Sequence, residues 1–168
     1  MLIDAIRLIL FPALMAFAAS SDFLTMTISN KVSIALVGGF LALALLTGLS
    51  AGEFGSHVGA GALVLVIAFI FFARGWVGGG DAKLAAATAL WLGFDPLLSY
   101  LINASLLGGM LTLLLIGVRL MPLPGILQGR GWAERLHDRD GGIPYGIALA
   151  IAAMLVYPDT VWMKAISA

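Results

Sequence analysis

The stretch PLLSYLINASLLGGMLTLLLIGV, Pro96–Val118, carries no charged side chain. It is long enough for the roughly 17–25 apolar residues that cross a bilayer as a helix. Two further uncharged runs qualify alone, Val32–Gly52 and Gly141–Pro158. Leu8–Ser21, Val58–Ala73 and the short Leu84–Phe94 qualify if the polar residues at their ends sit among headgroups. The pattern predicts an all-α, polytopic membrane protein with six transmembrane helices, forming a single domain over residues 1–168.

Composition agrees. Hydrophobic residues make up 61% and charged residues 11% of the chain, against about 45–50% and about 25% in ordinary globular domains. Mean hydropathy is +1.07. A soluble fold of 168 residues cannot bury that much apolar surface, so lipid is the solvent for much of it. Lys+Arg and Asp+Glu number 9 each. No basic excess exists to neutralise phosphates, which argues against nucleic acid as a partner. With no cysteine, disulfides, thiol catalysis and Cys-type zinc sites are excluded.

Basic residues orient the helices. Lys31, Arg74, Lys83, Arg119, Arg130, Arg135 and Arg139 fall on one side of a six-span arrangement, and Arg7 and Lys164 on the other. The first side is therefore cytoplasmic and both termini lie outside. Trp76 and Tyr145 fall near the inner boundary and Trp91, Tyr157 and Trp162 near the outer one, as aromatic belts. Ala16-Phe17-Ala18 resembles a signal-peptide cleavage site, but Asp4 beside Arg7 denies the leading segment a positive excess, so residues 1–21 read as a retained span. The small residues Gly48 with Gly52 and Gly55 with Gly59 stand at helix-packing spacing.

Most acids have plain roles. Asp4, Glu53, Asp95 and Asp159 belong to outer loops or the N-terminal tail, and Asp95-Pro96 marks a turn. His57 stands alone in an outer loop and His137 in a charged inner one. No metal-ligand spacing results, so neither a metal nor another cofactor is expected. Asp22 and Asp81 differ. Asp22 closes the first apolar run, and Asp81 follows Gly78-Gly79-Gly80 and opens the fourth helix. The first helix arrives at the inner side and the fourth departs from it, so both carboxylates share one depth and meet if those helices pack together. Two carboxylates in one low-dielectric site hold a single proton between them. The charged member can take a proton from an attacking water while the neutral one bonds to a scissile carbonyl oxygen. As an alternative, Asp81 is a helix cap and Asp22 a boundary residue. The glycine triplet permits positive φ and close approach of a substrate chain, or is a plain flexible loop. It lacks the Gly-Lys-Ser/Thr of a phosphate loop.

Gly78-Gly79-Gly80-Asp81-Ala82-Lys83 resembles the Gly-x-Gly-Asp motif of intramembrane aspartic proteases, and with Lys83 the form found in prepilin peptidases. Asp22 through Asn30 and Lys31 is similar to that family's first motif, and Pro144-Tyr145-Gly146 to a late Pro-aromatic-Gly. The resemblance implies removal of the short basic leader from type IV prepilins or pseudopilins, at the cytoplasmic face of a bacterial inner membrane. It carries Asp22 and Asp81 over as catalytic residues. Gly78, Gly79, Gly80, Lys83, Asn30, Pro144 and Tyr145 carry over as substrate-binding or supporting positions, with Lys83 either reaching the acid pair or marking the inner boundary. Ser29 stands where the family usually has Pro, which loosens the turn after Asp22. The long bifunctional members carry a cysteine-bearing insertion and methylate the new pilin N-terminus. Here only Asp22 to Lys31 join the first two helices, so peptidase activity without methyltransferase activity is expected, as in the short peptidases of tight-adherence (Flp) systems. Glu134, Asp138 and Asp140 in the Arg119–Asp140 connection are weak candidates for contact with a basic leader, and Leu127, Trp132 and Leu136 for contact with lipid. The competing readings are a small transporter that moves protons or cations through Asp22 and Asp81, and a non-catalytic membrane scaffold. Oligomeric state is not legible in the sequence.

Overall fold

The computed structural model describes residues 1–167 of the chain. Eight α-helices follow one another, α1 (Leu2–Thr25), α2 (Asn30–Thr47), α3 (Ala51–Ala73), α4 (Gly79–Leu92), α5 (Leu97–Arg119), α6 (Gly131–His137), α7 (Tyr145–Val156) and α8 (Val161–Ser167), with no strand among the described residues.

Four of them, α1, α2, α3 and α5, are long and apolar enough to cross a membrane. This departs from six full-length spans. With 14 and 12 residues, α4 and α7 extend about 21 Å and about 18 Å at about 1.5 Å per residue, short of an apolar core about 30 Å thick. These two short helices are the centre of the bundle. α4 packs on α3, α2 and α7, and α7 packs on α5, α1 and α4. Alanines make that possible. Ala82, Ala86, Ala87 and Ala89 of α4 and Ala148, Ala150, Ala152 and Ala153 of α7 are all buried. Small side chains let helix backbones approach closely where lipid supplies no hydrophobic drive. The long helices surround this pair and turn Leu45, Phe69, Leu106 and Leu113 outward.

The helix ends follow local chemistry. Gly48, with φ 65°, closes α2 in the left-handed conformation, as glycine does at helix ends. Ser50 and Glu53 cap each other's backbone N–H groups and start α3 at Ala51, seven positions before the expected Val58. That capping box, Ser-x-x-Glu, is readable in the sequence. It places Glu53 and His57 in a helix rather than a loop. α1 continues past Ser21 to Thr25, so Asp22 lies in its last turn, and Met26 closes the helix with its N–H on Asp22 O. α7 begins only after Pro144, leaving Gly141 to Ile143 as loop, and α8 follows a short 3-10 turn at Tyr157–Asp159.

An aromatic core holds the end of the bundle remote from Asp22. The rings of Phe11 and Tyr157 lie 4.5 Å apart and those of Trp91 and Trp162 5.8 Å apart. Trp91 Nε1 donates to Leu36 O at 2.7 Å, Trp162 Nε1 to Trp91 O at 2.7 Å, and Tyr157 Oη to Arg7 O at 2.7 Å. Buried His57 joins the cluster, with Nδ1 2.8 Å from Leu90 O and its ring 5.4 Å from Phe40. The outer aromatic belt is therefore corrected. Trp91, Tyr157 and Trp162 face one another, because each buried polar tip finds a backbone oxygen inside the protein. We expect Trp91→Phe to lower stability in detergent by about 1–3 kcal/mol and Trp91→Ala by about 3–5 kcal/mol. Unfolding midpoints matching wild type in both variants would show that the cluster does not hold the bundle.

Candidate active site

Asp22 is only 4% exposed, and its Oδ2 accepts the Gly146 N–H at 2.7 Å. That donor is in the first turn of α7, where backbone N–H groups have no partner within the helix. The contact is tight. A Cβ on Gly146 would lie 2.8 Å from Asp22 Oδ2 and 2.6 Å from Ile28 Cδ1. Pro144, fully buried, caps α7 from outside. The late Pro-Tyr-Gly motif thus delivers a backbone donor to the first acid, and Gly146 is the site residue that the sequence-based set omitted. Its signal is a glycine one place into a helix that a proline opens.

Asp81 is half-buried in the first turn of α4, with Oδ2 turned back over Gly78, where a Cβ would lie 2.9 Å away. α1 and α4 meet as expected, with the Phe11 and Trp91 rings 5.2 Å apart and Thr88 Oγ1 3.8 Å from Met15 Sδ. Both carboxylates open onto one cavity of about 870 Å³, together with Gly78 and Tyr145.

The glycine triplet works differently from expectation. None of its members has positive φ. Gly78 is extended at φ −67°, and Gly79 and Gly80 already belong to α4. What they provide is room. A Cβ on Gly80 would lie 3.2 Å from Ile28 Cβ, and one on Gly79 3.2 Å from the Phe72 ring. Ile28 is thus wedged between Gly80 and Gly146, binding the segment after Asp22 to both short helices.

Lys83 does not reach the acid pair. Its Nζ donates to Asn30 Oδ1 at 2.9 Å and fastens the start of α4 to the start of α2. The two motif residues thereby form one bridge, and exposed α4 positions lie outside the cavity. Ser29 holds φ −65°, a value that proline also adopts. The Tyr145 hydroxyl donates to Ala104 O at 3.3 Å, and its ring lies where a Cβ on Gly108 would stand.

The Arg119–Asp140 connection is stapled rather than loose. Buried Arg119 donates to Leu136 O at 2.8 Å, Gly141 O at 2.9 Å and Gly142 O at 2.7 Å. Arg135 Nη2 donates to Leu24 O at 2.6 Å, and the Trp132 ring packs on Phe23 at 5.4 Å. α6 therefore docks beside the Asp22 turn, with Trp132 packed in part on Phe23. Glu134 Oε1 accepts the Gly129 N–H and Asp138 Oδ1 the Asp140 N–H, so these acids serve the loop's own backbone. Among the described residues no cluster of three or more His, Cys, Asp or Glu side chains could hold a metal.

Four long apolar helices around a central short pair suit a multi-pass membrane protein, and Asp22 and Asp81 line one cavity within it. The chain belongs to the type IV leader peptidase family, whose model matches residues 9–113, and so it is a protease of the leader-peptidase type. The matched region includes Asp22, Asn30 and Gly78 through Lys83, and ends before Pro144. Comparison with curated proteins and with solved structures gives no match.

Gly146→Ala is expected to displace Asp22 or Ile28 and to destabilise the fold by about 1–3 kcal/mol, as overpacking does. Gly109→Ala, with nothing within 4 Å of the added Cβ, provides the control. Equal unfolding midpoints for the two variants would show that the α7 start is not tightly fitted to Asp22.

Proposed function

We propose that this protein is an aspartic endopeptidase, built as one membrane domain, that removes the short basic leader from type IV, Flp-like prepilins or pseudopilins. The observation that carries this reading is the pair Asp22 and Asp81, remote in sequence and opening onto one cavity in a chain of the leader peptidase family. α4 and α7 count as the two remaining crossings, short because they start below the surface at the acid pair. The basic residues Lys31, Arg74, Lys83, Arg119, Arg130, Arg135 and Arg139 support a cytoplasmic position for that end, in a bacterial inner membrane.

In the reaction, the charged carboxylate removes a proton from water as the water oxygen bonds to the scissile carbonyl carbon. The neutral carboxyl donates a hydrogen bond to the carbonyl oxygen. Collapse of the tetrahedral intermediate breaks the C–N bond, and a proton passes to the leaving amine. The pair titrates as a unit. The Gly146 N–H keeps Asp22 turned into the cavity, and Lys83 with Asn30 supports the start of α4. With no cysteine and only a short α1–α2 connection, the chain leaves the new pilin N-terminus unmethylated.

Co-expression with a prepilin tests this on a gel. Asp22→Asn and Asp81→Asn are each expected to abolish leader removal while the protein still inserts. Retained cleavage in either variant removes that residue from the chemistry, and a proton or ion flux lost in both without any processing by wild type favours a transporter. Cleavage is also expected to fall toward acid and toward alkali, since it needs one charged and one neutral carboxyl. A rate flat from acid through neutral pH contradicts the shared proton.

A further inference from the structure

The cavity that holds the acids is far larger than two carboxylates and a water require. It continues away from them between α3 and α5. α3 packs mainly on α4, and α5 mainly on α7, so the two long helices face each other across a gap. On the α3 side the wall is Val64, Ile67, Ala68, Phe71 and Gly75, and on the α5 side it is Leu101, Ala104, Ser105 and Thr112. Apart from Gly75, which lies just past the end of α3, both sets recur at three- and four-residue spacing, so each is one helical face that borders the gap. At about 1.5 Å per residue the α3 wall runs about 10 Å from Val64 to Phe71, and the α5 wall about 16 Å from Leu101 to Thr112. The longer wall is about half the thickness of an apolar membrane core.

The wall chemistry selects the occupant. Ser105 Oγ already donates to Leu101 O at 2.8 Å, and Thr112 Oγ1 to Gly108 O at 2.7 Å. Their hydroxyl protons are thus committed to backbone oxygens of α5. An extended peptide at this depth needs partners for its N–H and C=O groups, whereas a helix satisfies its own. Ala68 and Ser105 stand mid-wall, and small residues there admit a helix backbone at close range. At its inner end the gap reaches Asp22 and Asp81, so a helix lying in it presents the residues just beyond its end to the acids.

We propose that the groove between α3 and α5 receives the apolar helix of the prepilin substrate, against Ala68 and Ser105, with about three turns inside. This rests on the peptidase reading and adds the place and form in which the substrate is held. Recognition is then by helix packing along the groove, while the chain straightens only at the acids.

Cysteine cross-linking tests it directly, because the chain has no cysteine of its own. Ala68→Cys and Ser105→Cys are near-isosteric changes. Each is combined in membranes with a Flp-type prepilin bearing single cysteines stepped along its apolar helix. Disulfide adducts are expected at every third or fourth substrate position, at least tenfold above those of Leu113→Cys, a residue 72% exposed on the outer side of α5. Ala68→Trp is expected to cut the Ser105→Cys adducts at least fivefold. Adducts without helical periodicity, or no stronger than at Leu113→Cys, overturn the proposal and leave the groove to lipid or to an extended chain. Processing by wild type without these adducts overturns the groove alone. Periodic adducts without processing overturn the peptidase reading instead.

Discussion

One backbone N–H, donated by Gly146 to Asp22, ties the site to the fold. It joins the last turn of α1 to the first turn of α7 across most of the chain's length. The bond is possible only because residue 146 has no side chain, and Ile28 occupies the rest of that space. Through Ile28 the same contact reaches Gly80, one residue before Asp81. The two acids are therefore positioned largely by glycine backbones pressed against one isoleucine.

Two short helices explain why a cavity exists there. α4 and α7 are held at the remote end by the aromatic cluster of Phe11, Trp91, Trp162 and Tyr157, in which the polar tips of the two tryptophans and the tyrosine bond to backbone oxygens. Because they are short, they do not fill the bundle to its other end. The long helices continue past them, and the space between becomes the cavity with the acids on its wall. Arg119 and α6 then cover that end from outside, with the guanidinium bound to three carbonyl oxygens. Aromatic packing at one end thus contrasts with an open cavity at the other.

Much of this was legible in the residues. Uncharged runs marked the helical membrane class, and the placement of Asp22 and Asp81 at two same-side helix ends located the pair. The Gly-x-Gly-Asp and Pro-Tyr-Gly stretches marked positions that the structure brings to one place. Misreadings came where local and distant partners compete. Trp91, Tyr157 and Trp162 read as a lipid belt because amphipathic rings near span ends usually sit there, yet interior carbonyls claimed them. Lys83 read either as a partner of the acids or as a boundary lysine, and its bond goes to Asn30. The glycine triplet read as conformational freedom, whereas its use is steric.

The sequence by itself pointed to an apolar solvent and the helical class and singled out the two acids, because each depends on composition, hydrophobic run length and residues near in the chain. The short lengths of α4 and α7, the hydrogen bond to Asp22 and the gap between α3 and α5 were decided only by tertiary structure. They depend on which helix faces lie against each other, and small residues such as glycine and alanine carry almost no one-dimensional signal of what they are pressed against.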